Sequence, residues 1–171
     1  MQWIESFCDK CAKYLGVIIS FLLILMMVNV AFDTLNRYLM NSNSVALQEM
    51  EWHLFSVIIL LGTSYALSEE GHVRVDIFYT NFSAKKKAII NMIGVITFLL
   101  PLSLLVAFGS LGFVEEAYIF MEQSGDPGGL HYRFIIKGLI PTSFFILIFM
   151  SFGYFARNYN LLKRLNSGSN S

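Results

Sequence analysis

Charge is scarce in this sequence. Asp, Glu, Lys and Arg make up 14% of its 171 residues, where a soluble domain carries about 25%. That is too little polar surface to coat a water-soluble globule. Lys and Arg together balance Asp and Glu at 12 each, so no basic footprint exists to offset nucleic-acid phosphates. Cysteine is nearly absent. Cys8 and Cys11 stand alone in a CDKC segment, whereas a zinc site wants four ligands. The pair reads as two small residues on one helix face. Its expected place on the reducing side of a membrane argues against a structural disulfide.

What the chain has instead is long apolar runs, with 56% hydrophobic residues overall. Leu15–Phe32 is 18 residues long and would rise about 27 Å as a helix, close to the hydrocarbon core of roughly 30 Å. No small-x-small cleavage site follows it; Asp33, Asn36, Arg37 and Tyr38 do, so a retained span is expected rather than a signal peptide. The pattern predicts an all-α membrane protein with four spans, at about 15–36, 48–67, 88–114 and 134–155. They form one domain over 1–165, followed by a disordered tail over 166–171. Residues 1–14 space Ile4, Phe7, Cys8 and Cys11 on one face and predict an amphipathic helix lying at the membrane surface.

The connections carry their own signals. Asn36–Ser44 should turn the chain. Ser83 can cap a helix that begins at Ala84. Ile77, Phe78, Tyr79 and Phe82 make an aromatic patch at headgroup depth. Pro101 predicts a kink near Thr97–Pro101 in the third span. Gly94, Gly109, Ser110 and Gly112 would let another helix approach. Six turn-forming residues, Ser124 to Gly129, stop the third helix. Trp3 and Trp52 are expected interface anchors. Lys85, Lys86 and Lys87 would anchor depth and attract anionic lipid.

Orientation follows from counting charges. Lys10, Lys13, Arg74, Lys85, Lys86, Lys87, Arg157, Lys163 and Arg164 fall on one side; Arg37, Arg133 and Lys137 fall on the other. The positive-inside rule then predicts both termini in the cytoplasm. Seven acids (Asp33, Glu49, Glu51, Glu115, Glu116, Glu122 and Asp126) gather outside. Glu115, Glu116 and Glu122 are expected to contact a soluble partner there.

Chemistry inside the membrane is missing. Transporters and channels usually carry ionisable groups or broken helices at mid-membrane, and no Asp, Glu, Lys, Arg or His lies centrally in any span. Ser20, Asn29, Thr63, Ser64, Asn91, Thr97, Ser103 and Ser143 are the polar residues inside; such groups more often bond neighbouring helices than bind substrate. Glu69, Glu70, His72 and Asp76 would suit acid–base work, but a solvated cap on the second span, with Asp76 paired to Arg74 or to the local lysines, is the preferred reading. An alternative function is a haem- or quinone-type membrane anchor of a redox enzyme, with His53 and His131 near the outer edge as haem ligands.

A motif series ties these features together. Arg37-Tyr38 follows the first span. Glu49 precedes the second, with Gln48 where a first acid is usual and Trp52 after rather than before. Gly62 stands thirteen residues beyond Glu49, and His72-Val73-Arg74-Val75-Asp76 begins ten further on. Pro141 opens the last span. Over about residues 12–160 the chain resembles the small membrane subunit, DctQ type, of tripartite ATP-independent periplasmic (TRAP) transporters. The resemblance implies a large membrane subunit of DctM type that carries the substrate and sodium sites. It also implies a periplasmic binding protein that delivers an organic acid, a C4-dicarboxylate or sialic acid, in the bacterial inner membrane. It implies no catalysis, cofactor, metal or substrate residue in this chain. Arg37, Tyr38, Glu49, Gly62, His72, Arg74, Asp76 and Pro141 would be structural fixtures of the family motif.

Overall fold

A computed structural model describes residues 2–69 and 82–167. Among them four helices are long and apolar enough to cross a membrane. We name them α1 (Gln2–Met40), α2 (Val45–Ser68), α3 (Ala84–Ile119) and α4 (Arg133–Ser167). No strand occurs among the described residues.

α1 differs from expectation at its start. The 14-residue lead-in is not a separate surface helix; it continues the span without a break, giving 39 residues and a rod of about 58 Å. No proline or glycine pair interrupts the stretch, so the backbone ladder has no reason to stop. The reversal expected over Asn36–Ser44 is confined to residues 41–44, with Asn41 at φ 49°. Ser44 then caps α2, its side chain accepting from the Leu47 N–H, which satisfies one orphan donor of the first turn. Ser83 does the same for α3 through the Lys86 N–H, and the helix begins at Ala84 as predicted.

α3 carries the irregularity that Pro101 requires. Proline has no N–H to return to the carbonyl four residues back. The helix accommodates this with one π turn, Val95–Leu99, and the Leu100 N–H bonds the Val95 carbonyl. Regular α-helix resumes with Pro101 in its first turn. α4 extends a dozen residues past the predicted span. Asn166 and Ser167, expected in a disordered tail, belong to its last turn; 168–171 lie outside the described residues.

α1 and α2 pack on each other and both pack on α4, while α3 packs chiefly along α4. The buried apolar cluster of Cys8, Leu67, Val95, Leu147, Met150 and Tyr154 sits toward the end where α1 and α3 begin and α2 and α4 finish. Close approach there depends on glycine. A Cβ on Gly153 of α4 would lie 2.6 Å from Cys8 Sγ, and one on Gly16 of α1 would lie 2.8 Å from the Tyr65 ring. Gly94, Gly109 and Gly112, expected to admit a neighbouring helix, have no side chain or other helix among the described residues within 4 Å of such a Cβ.

The polar residues inside the spans divide by reach. Asn29 of α1 donates to the Leu47 carbonyl of α2, and Asn91 of α3 donates to Asn158 of α4. Ser20, Thr63, Thr97 and Ser143 turn back to carbonyls of their own helices. The Ser64 hydroxyl is buried without a partner among the described residues.

Candidate functional site

The polar groups concentrate at the two ends of the bundle. At the end where α2 and α4 begin, Glu49 is the hub. α2 points its carboxylate at the connection between α3 and α4, residues 120–132. Ser124 Oγ donates to Oε1. The Leu130 N–H donates to Oε2 at 2.5 Å, and Arg133 Nη2 donates to Oε1 at 3.0 Å. The connection is closed on itself by the Ser124 N–H to the Leu130 carbonyl, 3.1 Å, and the Arg133 N–H to the Glu122 carbonyl, 3.0 Å. A Cβ on Gly129 would stand 2.8 Å from Glu49 Oε2, so the glycine makes room for the carboxylate.

The surrounding groups reinforce this seam. Glu122 pairs with Lys137 across the same connection, and Lys137 Nζ lies 3.9 Å from the Phe113 ring centre. Tyr118 meets Phe134 edge to face at 5.3 Å. His53 sits one turn after Glu49, its Nδ1 2.6 Å from the Glu49 carbonyl. His131 lies in the connection rather than on α4. A carboxylate met by three donors, one of them cationic, is fully committed to holding these parts together. It is not poised to take a proton from a substrate.

Arg157 organises the opposite end. Its Nη1 donates to the Ser68 carbonyl at the end of α2, 2.9 Å, and Nη2 donates to Asp9 of α1, 2.6 Å. One turn on, Asn160 donates to Glu5 at 2.8 Å. Three helices therefore meet on one guanidinium, whose planar fork suits two acceptors at once.

The other residues singled out from sequence stand as follows. Arg37 pairs with Asp33, four residues earlier on α1; Asp33 is 1% exposed and its Oδ1 has no partner among the described residues. Tyr38 is exposed, Gly62 faces open space, and Pro141 is buried within α4. Trp3 and Trp52 are both exposed. Lys85, Lys86 and Lys87 form the first turn of α3. Glu115 and Glu116 are exposed, whereas Glu122 is engaged by Lys137. His72, Arg74 and Asp76, Glu70, and the Ile77–Tyr79 part of the aromatic patch lie outside the described residues.

Sequence reasoning missed Ser124, Leu130 and Arg133 as partners of Glu49, and missed Arg157, Cys8 and Gly153 as an assembly point. A carboxylate 75 residues from its hydroxyl partner leaves no local pattern.

With four apolar helices and two polar seams described, comparison with known families is decisive. The model for tripartite ATP-independent periplasmic transporters, DctQ component, matches residues 14–161. The chain belongs to this family. Comparison with curated proteins gave no match. As a DctQ component the chain is a multi-pass protein of the inner membrane. It is the small membrane subunit of a TRAP transporter and associates with other TRAP components. The DctQ component is part of a transporter rather than an enzyme, which decides against the redox-anchor reading of His53 and His131.

Proposed function

We propose that this DctQ component is the fixed scaffold of a sodium-coupled importer, holding a large DctM-type membrane subunit in the bilayer. A periplasmic binding protein would deliver the organic acid, a C4-dicarboxylate or sialic acid. The observation that carries this reading is α1. None of the residues in its most apolar 18-residue stretch is buried within the chain. Phe21, Ile24, Met27 and Val28 are all exposed. Such a helix has far more apolar surface than its own bundle covers, and lipid and a polytopic partner are what remain to cover it.

Two further features support a holding role. Across Leu15–Phe32, Leu54–Leu67, Ala88–Val114 and Gly138–Phe155 there is no Asp, Glu, Lys, Arg or His, so ion coupling belongs to the partner. The Glu49 and Arg157 seams tie the helices at both ends, which suits a part that stays still while another moves. The exposed Glu115, Glu116 and Asp126 offer a negative face for the delivery protein, and positive-inside counting puts that face in the periplasm.

The test is co-purification of the tagged chain from its native membrane, followed by reconstitution. A large polytopic subunit should elute with it, and sodium-dependent uptake should require both chains plus the binding protein. A chain that elutes without a large subunit, or uptake that persists without this chain, would overturn the scaffold reading.

A further inference from the structure

We propose that the groove between α1 and α2 beside Lys13 and Glu69 is a binding site for one phospholipid. Its headgroup carries both a phosphate and a primary ammonium, as in phosphatidylethanolamine. The groove encloses about 410 Å³ and is lined by Lys13, Gly16, Val17, Ser20, Tyr65 and Glu69. Lys13, Gly16, Val17 and Ser20 share one face of α1 by their spacing of three, four and seven. Tyr65 and Glu69, four apart, supply the wall from α2. Gly16 lets the Tyr65 ring lie against α1 and form that wall: a Cβ there would stand 2.8 Å from the ring.

The two charges stand where a headgroup would be. Lys13 lies just before the apolar run of α1, and Glu69 caps the end of α2; both are exposed. Neither makes an ion pair with a described residue. A cation and an anion flanking one groove, and not satisfying each other, match a zwitterion. Lys13 takes the phosphate. Glu69 takes the ammonium, which brings three N–H donors, whereas a quaternary ammonium brings none. An anionic headgroup would gain Lys13 but be repelled by Glu69. Below the charges the wall turns apolar at Val17, 70% exposed, and the exposed Phe21 and Ile24 continue that face, giving an acyl chain a track into the bilayer.

Another groove among the described residues differs in its charges. It lies between α2 and α4, encloses about 370 Å³ and includes Lys137. There the ammonium is already taken by Glu122 and the Phe113 ring, so it offers no free charge to a headgroup.

The experiment is native mass spectrometry of the full chain released from mixed micelles holding equal phosphatidylethanolamine and phosphatidylglycerol. The wild type should retain the ethanolamine lipid in several-fold excess. Glu69→Gln should abolish that preference, and Lys13→Gln should lower retention of both lipids. Both side chains are exposed, so the variants should fold, and an unchanged elution volume checks this. Val17→Trp, which fills the groove from an exposed position, should lower ethanolamine-lipid retention without touching either charge. Equal retention of the two lipids by the wild type, or an unchanged ratio in Glu69→Gln, would overturn the proposal. So would a photo-crosslinker at Val17 that captures a protein subunit rather than lipid in the intact complex.

Discussion

Gly153 lies directly against Cys8, so close that any side chain on the glycine would overlap the cysteine. A Cβ at 153 would stand 2.6 Å from the sulfur and 3.9 Å from Cys8 Cα. The Cys8 thiol meanwhile reaches the Phe149 carbonyl at 4.0 Å, and the neighbouring Phe7 ring meets Phe149 edge to face at 6.0 Å. Gly153→Ala should therefore part α1 from α4 and cost about 1–3 kcal/mol by overpacking. Thermal unfolding of the detergent-purified chain measures it. Cys8→Gly in the same chain should recover most of the loss, because the methyl then has somewhere to go. No recovery would mean that the contact is not what limits stability.

Glu49 should control the order of the connection over 120–132. Glu49→Ala removes the acceptor of Ser124, Leu130 and Arg133 together. Hydrogen exchange at the Leu130 amide should then quicken by roughly ten- to a hundredfold, the loss expected for one hydrogen bond to a charged group. Glu49→Gln keeps an acceptor but not the charge that faces Arg133, and should fall between. An unchanged Leu130 amide in Glu49→Ala would show that the connection is held by its own turns.

Arg157 offers a way to separate an ion pair from a hydrogen bond. Its side chain is 34% exposed and that of Asp9 42%, so the pair alone contributes about 0–1 kcal/mol. The bond to the Ser68 carbonyl has a charged donor and contributes about 1.5–3 kcal/mol. Asp9→Asn should accordingly be mild and Arg157→Ala severe. The readout is maleimide labelling of Cys8, which is buried in the wild type. Arg157→Ala should speed it markedly, Asp9→Asn only slightly. Equal effects would sink this ranking.

Sidedness can be tested with single cysteines. In a chain with Cys8→Ser and Cys11→Ser, Ser44→Cys should react with an impermeant thiol reagent on spheroplasts. Ser167→Cys should react only after lysis. The reverse pattern would invert the topology drawn from the basic residues.

Much of the fold is legible in the sequence because apolar length is the signal. Runs such as Leu15–Phe32 must be helical to satisfy their backbone in lipid, and Ser83 and Pro101 act on their immediate neighbours. The charges sorted by counting also coincide with the two ends of the bundle: Lys13, Lys85 and Arg157 at one, Arg37, Arg133 and Lys137 at the other. What is not legible is which face of each helix touches which. A helix apolar all round has no stripe that separates inside from outside. Gly94 and Gly153 look alike in sequence, yet one faces open space and the other seats Cys8. The Glu49 hub was hidden for a different reason: its partners lie in a connection 75 or more residues away along the chain.

The unbroken course of α1 gives its two ends a common angular register. Cys8 and Asp9 must face α4 while Asn29 faces α2 at Leu47. An added residue turns everything beyond it by about 100°, and α1 has no hinge to absorb the turn. One alanine inserted between Ala12 and Gly16 would therefore leave the helix intact but force a choice between its two sets of neighbours. The subunit keeps time like a key whose teeth are cut at both ends of a single shaft.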